Sequence, residues 1–183
     1  MNRTSARIGL ASFTLAAVSA AMMSGWRAGD PPELPAVVQW MGNHSSITKP
    51  RTVLISDAAT WERVYAEHMG SLLEHAPTSA AYIPEVDFAR YSVVCVFGGA
   101  RINTSGYRLV SIADLPEVQR LRYDAVQYQT MSLDGKDPGN SCEPFGMFVI
   151  PRPRRTLVLE EDVNGLIGAA PKWKEQCRIE PPK

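Results

Sequence analysis

The chain has 183 residues, of which 45% are apolar and 21% charged, and its formal net charge is zero. That length fits one domain with a buried core, and that composition excludes a fibrous or disordered protein. A neutral chain also lacks the broad basic field that nucleic-acid binding requires, so we expect no nucleic-acid partner.

The N-terminus predicts a signal peptide over residues 1–25. Arg3 and Arg7 precede the apolar stretch IGLASFTLAAVSAAMM, and small residues follow around Ala20. A basic start, an apolar middle and a small-residue end are the features of a secretory signal. We expect cleavage between Ala20 and Gly25, which makes the protein secreted or periplasmic with no later membrane span. Retention of the segment as an uncleaved anchor is the alternative.

Residues 26–50 are rich in Pro, Gly and Ser and are interpreted as an N-terminal segment that precedes a single domain over residues 51–183. Within this segment, AVVQW is either a first short strand or part of a linker. The run RTVLIS, at 51–56, is typical of a strand because it is β-branched and apolar.

A helix is predicted next, because the apolar period changes to three and four residues. Ser56 or Asp57 can cap its N-terminus by accepting a hydrogen bond from a free backbone N–H. Its apolar face is formed by Trp61, Val64, Tyr65, His68 and Leu72.

Five later runs predict strands: SVVCVF, YRLVSIADL, VQRLRYDAVQYQT, FGMFVIP and RTLVLEED. The first is apolar on both faces and predicts a central strand. The third alternates apolar and polar residues and predicts a half-buried strand. Short, turn-rich segments connect these runs. The sum predicts an α+β fold, a mostly antiparallel β-sheet with one early amphipathic helix packed on a face.

The chain contains three cysteines. Cys95, inside SVVCVF, is predicted to be a buried free thiol. Cys142 and Cys177 flank polar, Pro-rich segments, and export would permit a disulfide between them. Such a bridge would stabilise the fold by about 4 kcal/mol on the chain-entropy model. Three free thiols are the alternative.

The sequence contains no convincing linear motif for catalysis. SITK, at 46–49, matches a Ser-x-x-Lys pattern, but Pro50 follows and the companion motifs are missing. His68 and His75 are two helical turns apart, roughly 10 Å, too far for one metal ion. We therefore expect no catalytic residue, no metal site, no cofactor and no enzyme. An enzyme with a site assembled from distant residues is the alternative.

The segment RPRR, at 152–155, is basic and lies between two predicted strands. It is interpreted as a solvated turn, with a minor protein-binding patch as the alternative.

Several short motifs occur in a distinctive order between Ser56 and Leu159. They are Trp61 in the predicted helix, then IPEVDF, SVVCVFGGAR, TSGYRLVSI and DPGNSCEPFGMFVIP. This order resembles the C-terminal domain of the protease complex subunit PrcB family. The resemblance implies a small exported subunit that supports a surface subtilisin-like protease, with no catalytic residue to carry over. It predicts an exported, non-enzymatic protein-binding domain whose partner is an exported protease; the oligomeric state is not predicted.

The segment INTSGY contains the candidate site Asn103, Thr104, Ser105, Gly106 and Tyr107. In the structural interpretation, Gly106 takes a positive φ or forms a β-bulge and Tyr107 packs its ring on the sheet. The segment is also similar to the Asn-Pro-Thr-Thr-Gly-Tyr loop of chagasin-like cysteine protease inhibitors. That similarity implies, as an alternative, an inhibitor that inserts residues 102–107 into a protease cleft.

Overall fold

A computed structural model describes residues 33–34, 38–70, 83–130, 137–164 and 170–181. The predicted signal peptide lies outside these residues, as do Leu72 and His75. Across the described ranges, no helix is both long and apolar enough to cross a membrane.

The described ranges contain eleven strands and one helix, α1, which spans Ala58–Met69. The strands are, in chain order, β1 (Glu33–Leu34), β2 (Val38–Gly42), β3 (Arg51–Ile55), β4 (Tyr91–Phe97), β5 (Arg101–Ile102), β6 (Thr104–Asp114), β7 (Val118–Gln127), β8 (Ser141–Cys142), β9 (Phe145–Pro151), β10 (Thr156–Asp162) and β11 (Trp173–Ile179).

The strands form two main sheets and a short ribbon. The five-stranded sheet has the order β1-β6-β7-β10-β11, the four-stranded sheet has the order β2-β9-β4-β3, and β5 pairs with β8. Every pairing is antiparallel except that of β7 with β10, which is parallel. The prediction of a mostly antiparallel sheet with one helix is therefore confirmed.

The first strands of the fold precede residue 51. β2 pairs with β9 along all five of its residues, from Val38 opposite Val149 to Gly42 opposite Phe145. Val38, Gln39 and Trp40 of the run AVVQW thus lie in a sheet, and the predicted domain boundary at residue 51 is too late. With five residues, β2 is too short for its apolar period to be recognised in the sequence.

The helix begins where its sequence predicts and ends at Met69, whereas the predicted helical face extended to Leu72. The Asp57 carboxylate accepts a hydrogen bond of 2.8 Å from the Thr60 backbone N–H, and Gly70, with a φ of 50°, follows the last turn. A left-handed residue after a helix is usually glycine, because a Cβ is strained there. The helix buries Trp61 and Val64.

β4 explains how the layers pack. Its alternate residues Val94 and Val96 join the core between the two sheets, whereas Val93 and Cys95 join the core between the four-stranded sheet and α1. Both faces of this central strand are therefore buried, which is why its sequence is apolar without alternation. Each fully buried Val or Phe side chain in these layers stabilises the fold by roughly 1.5–3 kcal/mol relative to exposure.

Candidate functional site

Asn103 ties three segments together at the start of β6. Its backbone has a φ of 53°, the left-handed region that Asn tolerates better than most residues. Its side-chain Oδ1 accepts a hydrogen bond of 2.7 Å from Asn140 N, and its own N–H donates to Asn140 O over 2.9 Å. Its carbonyl accepts from Tyr128 N at 3.0 Å. Asn103 is thus engaged on its backbone and its side chain.

Thr104 and Ser105 belong to the strand and do not project from it. Thr104 is 4% exposed and pairs with Gln127 of β7. Its N–H donates to the Cys142 sulfur over 3.4 Å, and its hydroxyl donates to the Ile102 carbonyl over 3.1 Å. Ser105 is half-buried. Of this segment, only Ile102 presents a large side chain to solvent, at 61% exposure.

Gly106 sits where three strands approach one another. The register of β6 on β7 shifts between Thr104 and Tyr107, and Gly106 has a φ of 136°. A Cβ at this position would lie 2.8 Å from Gly42 N and 2.9 Å from Phe145 O. The backbones of β2 and β9 thus occupy the space that any other residue would need, and the Gly-Tyr pair marks a β-bulge.

Tyr107 lies in the core. It is 3% exposed, and its ring meets that of Tyr123 edge-on at 5.7 Å. Burial raises the pKa of Tyr107, and the nearby Arg101 guanidinium partly offsets that rise. Burial also raises the pKa of Glu161, again with Arg101 opposing the shift. Arg101 and Glu161 were not candidates from the sequence, because they are 60 residues apart. The pairing of β10 with β7 places Glu161 opposite Tyr123, whereas Arg101 belongs to the ribbon of β5 and β8.

The cysteines are free thiols. Cys95 is fully buried, as predicted, and burial raises its pKa to about 12, so the reactive thiolate is suppressed. The predicted bridge between Cys142 and Cys177 is not formed in the structure. Cys142 pairs with Arg101 in the short ribbon, whereas Cys177 pairs with Leu159 in the five-stranded sheet, so the two belong to different sheets.

His68 is the most buried imidazole in the described residues, at 6% exposure. Its Nδ1 is 2.9 Å from the Ser45 hydroxyl, and its ring lies 4.2 Å from that of Phe145. Burial lowers the pKa of His68 to about 4, with His44 adding a smaller effect. The same Ser45 hydroxyl accepts from Ile47 N at 3.1 Å, so the pair holds the loop after β2 against the helix.

An open cleft of about 800 Å³ lies at the other end of β6. Four arginines line it, and we call it the arginine cleft: Arg90, Arg152, Arg154 and Arg155. Three of them come from RPRR, the connection between β9 and β10, and the fourth immediately precedes β4.

Two of the arginines are held in place by the fold. Arg152 donates from Nη1 to the Phe88 carbonyl over 2.8 Å. Arg155 donates from Nη1 to the Asp114 carboxylate over 2.6 Å and to the Leu115 carbonyl over 3.1 Å. In both, Nε and Nη2 make no hydrogen bond to another described residue. Fixed guanidinium groups with spare donors match the planar acceptor pairs of carboxylates and phosphates.

The turn before β4 positions Ala89 and Arg90, which line another side of the arginine cleft. The Asp87 side chain accepts from Ala89 N at 3.0 Å, and its carbonyl accepts from Arg90 N and Tyr91 N at 3.1 and 2.9 Å. The Arg90 guanidinium lies 5.5 Å from the Tyr91 ring centre, a cation–π contact that leaves its N–H groups available. Asp87, from the motif IPEVDF, therefore holds the turn that carries the lining residues Ala89 and Arg90.

The other lining residues are mostly rigid or uncharged. Pro151, Pro153 and Pro181 contribute ring surfaces, and Asp114 is the one acidic residue that lines the described cleft. Gln119 also lines it, is 5% exposed, and makes no side-chain hydrogen bond to another described residue. The sequence indicated only RPRR, because Arg90, Asp114 and Gln119 join it through sheet pairings that no linear pattern shows.

Within the described ranges, no three His, Cys, Asp or Glu residues are close enough together to hold a metal ion. No protein-family model, curated protein or solved structure matches the chain. The resemblance to the PrcB family therefore stays a prediction from the order of motifs. In the structure, residues of those motifs make architectural contacts, such as the 2.8 Å hydrogen bond from the Trp61 indole to the Pro84 carbonyl and that from Gly98 N to Pro144 O.

Proposed function

We propose that this chain is an exported, non-enzymatic protein-binding domain that holds its partner at the arginine cleft, and that the partner is an exported protease or its precursor. The observation that carries the proposal is the cleft itself, about 800 Å³ with four arginines on its lining. Concave sites of 300–1,000 Å³ are typical of binding pockets, and arginine is enriched at protein interfaces. Export and the protease partner rest on the N-terminal segment and on the resemblance to PrcB.

Residues 102–107 give little support to an inhibitor that works by inserting this loop into a protease. Thr104 and Tyr107 are 4% and 3% exposed, and Asn103 is hydrogen-bonded to Asn140 on both its backbone and its side chain. Insertion would need these side chains to leave the core and the sheet.

One observation favours an enzyme as a second candidate. Glu161 has its pKa raised by burial and lies near Arg101 and the buried pair Tyr107 and Tyr123. Perturbed titrating groups that gather in one place are more frequent at active sites than elsewhere. The Glu161→Gln variant tests this candidate, since it would abolish any turnover found for the wild type while leaving partner binding at the arginine cleft unchanged.

Site-specific photo-crosslinking tests the protein-binding function. A benzophenone side chain replaces Ala89, which is exposed and lines the cleft, so that all four arginines are retained. Ala59, exposed on the first turn of α1, is the matched control position. After irradiation in the native envelope fraction, we expect a protease or its precursor to be linked at residue 89 and absent at residue 59. Equal products at both positions, or none at residue 89, would contradict the proposal.

A further inference from the structure

The chemistry of the cleft points to its ligand, and this step rests on the proposed function. We propose that the arginine cleft binds an extended acidic segment of the partner, whose carboxylates pair with Arg152 and Arg155 while its backbone contacts Gln119. This assigns a ligand class to the site: a peptide with several Asp or Glu residues.

The two fixed arginines define where carboxylates bind. Each uses Nη1 for its structural bonds, to Phe88 O at 2.8 Å and to Asp114 Oδ1 at 2.6 Å. The Nε and Nη2 groups of each remain as a donor pair with the spacing of two carboxylate oxygens. Because the fold already holds these guanidinium groups, binding a carboxylate costs little additional side-chain entropy.

The local charge favours an acidic ligand over a neutral one. Four arginines and one aspartate line the cleft, so its formal charge is +3, from four positive charges less one negative, in a chain whose total is zero. Arg90 and Arg154 are exposed, and their side chains make no hydrogen bond to another described residue. A cleft with one sign of charge concentrates ligands of the opposite sign and speeds their association.

The uncharged part of the lining favours a peptide over a nucleic acid. The Gln119 side chain offers N–H donors and a carbonyl acceptor, the two kinds of group that pair with a peptide group. None of the described lining residues is aromatic, whereas proteins that bind single-stranded nucleic acids use aromatic side chains to stack bases. Proline rings instead provide stiff apolar surfaces against which an extended chain can pack.

Titration of the full chain with labelled peptides tests this ligand class. The probe is a ten-residue peptide in which Glu alternates with Ser, and its counterpart replaces every Glu with Gln. We expect the acidic peptide to bind at least about tenfold more tightly, and we expect affinity to fall as salt rises from 50 to 300 mM, because charge-assisted bonds to arginine carry the interaction. Inorganic phosphate and a ten-nucleotide single-stranded DNA are the competing ligands.

Two variants locate the binding. Arg155→Lys keeps the positive charge but removes the planar pair of guanidinium donors, so affinity for the acidic peptide should fall several-fold. Arg154→Gln removes an exposed charge and should weaken binding by about two- to threefold. Arg63→Gln, an exposed arginine on α1, is the matched control and should change nothing. Thermal melting of each variant confirms that the fold is intact.

The outcomes separate this inference from the function on which it rests. Equal affinity for the Glu and Gln peptides, or tighter binding of DNA or phosphate than of the acidic peptide, would overturn the inference. If a protease were nevertheless linked at residue 89, the protein-binding function would stand without this ligand. If the acidic peptide did not bind preferentially and no protease were linked at residue 89, the proposed protein-binding function would also be wrong.

Discussion

The two ends of β6 differ in almost every property that matters for function. Its first residues, Thr104 to Tyr107, are the segment that the sequence favours; Ser105 is half-buried and the others are buried. Its last residue, Asp114, lies at the arginine cleft, roughly 33 Å away along an eleven-residue strand. The first end is conspicuous because it holds unusual backbone conformations. The second is inconspicuous because its residues come from separate parts of the chain.

Residues that stand out in a sequence can serve packing alone, while residues that do not stand out can form a binding site. The Gly-Tyr pair and Asn103 stand out in the sequence. In the structure, Asn103 has a positive φ, and these residues serve the packing between β6, β2 and β9. Arginines in a turn attract little attention, yet they surround an open cleft. We therefore expect substitutions at the first end to change stability and substitutions at the cleft to change binding.

The largest effect is expected at Gly106. Gly106→Ala places a Cβ 2.8 Å from Gly42 N and 2.9 Å from Phe145 O, which is a steric clash. The φ of 136° also strains the backbone of any residue other than glycine, so both effects destabilise the variant. We expect urea denaturation to show a loss of more than about 3 kcal/mol in the free energy of unfolding. Ser105→Ala, at the half-buried neighbour, is the control and should cost little. Unchanged unfolding with abolished partner binding would reverse the assignment of this segment.

A second, smaller effect should depend on pH through His68. Its pKa in the fold is about 4 against an ordinary value of 6.5, so between these values the unfolded chain binds a proton that the folded chain does not. Stability should be unaffected by this group above pH 6.5 and should fall by on the order of 3 kcal/mol as pH decreases to 4. Denaturant titrations over this range should show a shallower pH dependence for His68→Phe. Identical slopes in the two proteins would exclude His68 as the cause.

Asn103 should contribute less. Asn103→Ala removes the acceptor for Asn140 N, a bond of 2.7 Å, and places a less tolerant residue at a φ of 53°. We expect a loss of about 1–2 kcal/mol. Asn103→Gly removes the same hydrogen bond but relieves the backbone, so it separates the two causes. A melting temperature for Asn103→Ala equal to that of the wild type would show that this segment does not support the fold.

The smallest effect on stability should occur at the cleft. Arg154 is exposed, and Arg154→Gln should change the free energy of unfolding by less than about 0.5 kcal/mol while it weakens acidic-peptide binding. Chemical denaturation and peptide titration of the same sample measure both quantities. A large loss of stability with unchanged affinity for the acidic peptide would contradict the assignment of binding to the cleft end of β6.

Much of the fold follows from patterns within single elements. Trp61 and Val64 lie on the predicted helical face, Asp57 caps that helix, and the unbroken apolar run around Cys95 forms a strand buried on both faces. These features depend on neighbours within a few residues, which a sequence displays directly. The parallel pairing of β7 with β10 and the ribbon of β5 with β8 depend on contacts between distant segments and were not predictable in this way.

The candidate site follows from the sequence only in part. RPRR indicated basic charge in a turn, but the cleft needs Arg90 beside Arg152, which the pairing of Tyr91 with Pro151 provides. It also needs Asp114 beside Arg155, two residues that are 41 positions apart. Their juxtaposition is set by the strand order of two sheets, and a single sequence gives no measure of that order.

The most direct measurement is a nuclear magnetic resonance titration of the ¹⁵N-labelled full chain with the acidic peptide. We expect backbone amide shifts to change at the non-proline residues of 89–91, 114–119 and 152–155, while residues 101–107 stay unchanged. Shifts concentrated at residues 101–107, with none around the arginine cleft, would contradict the assignment of structure to one end of β6 and binding to the other.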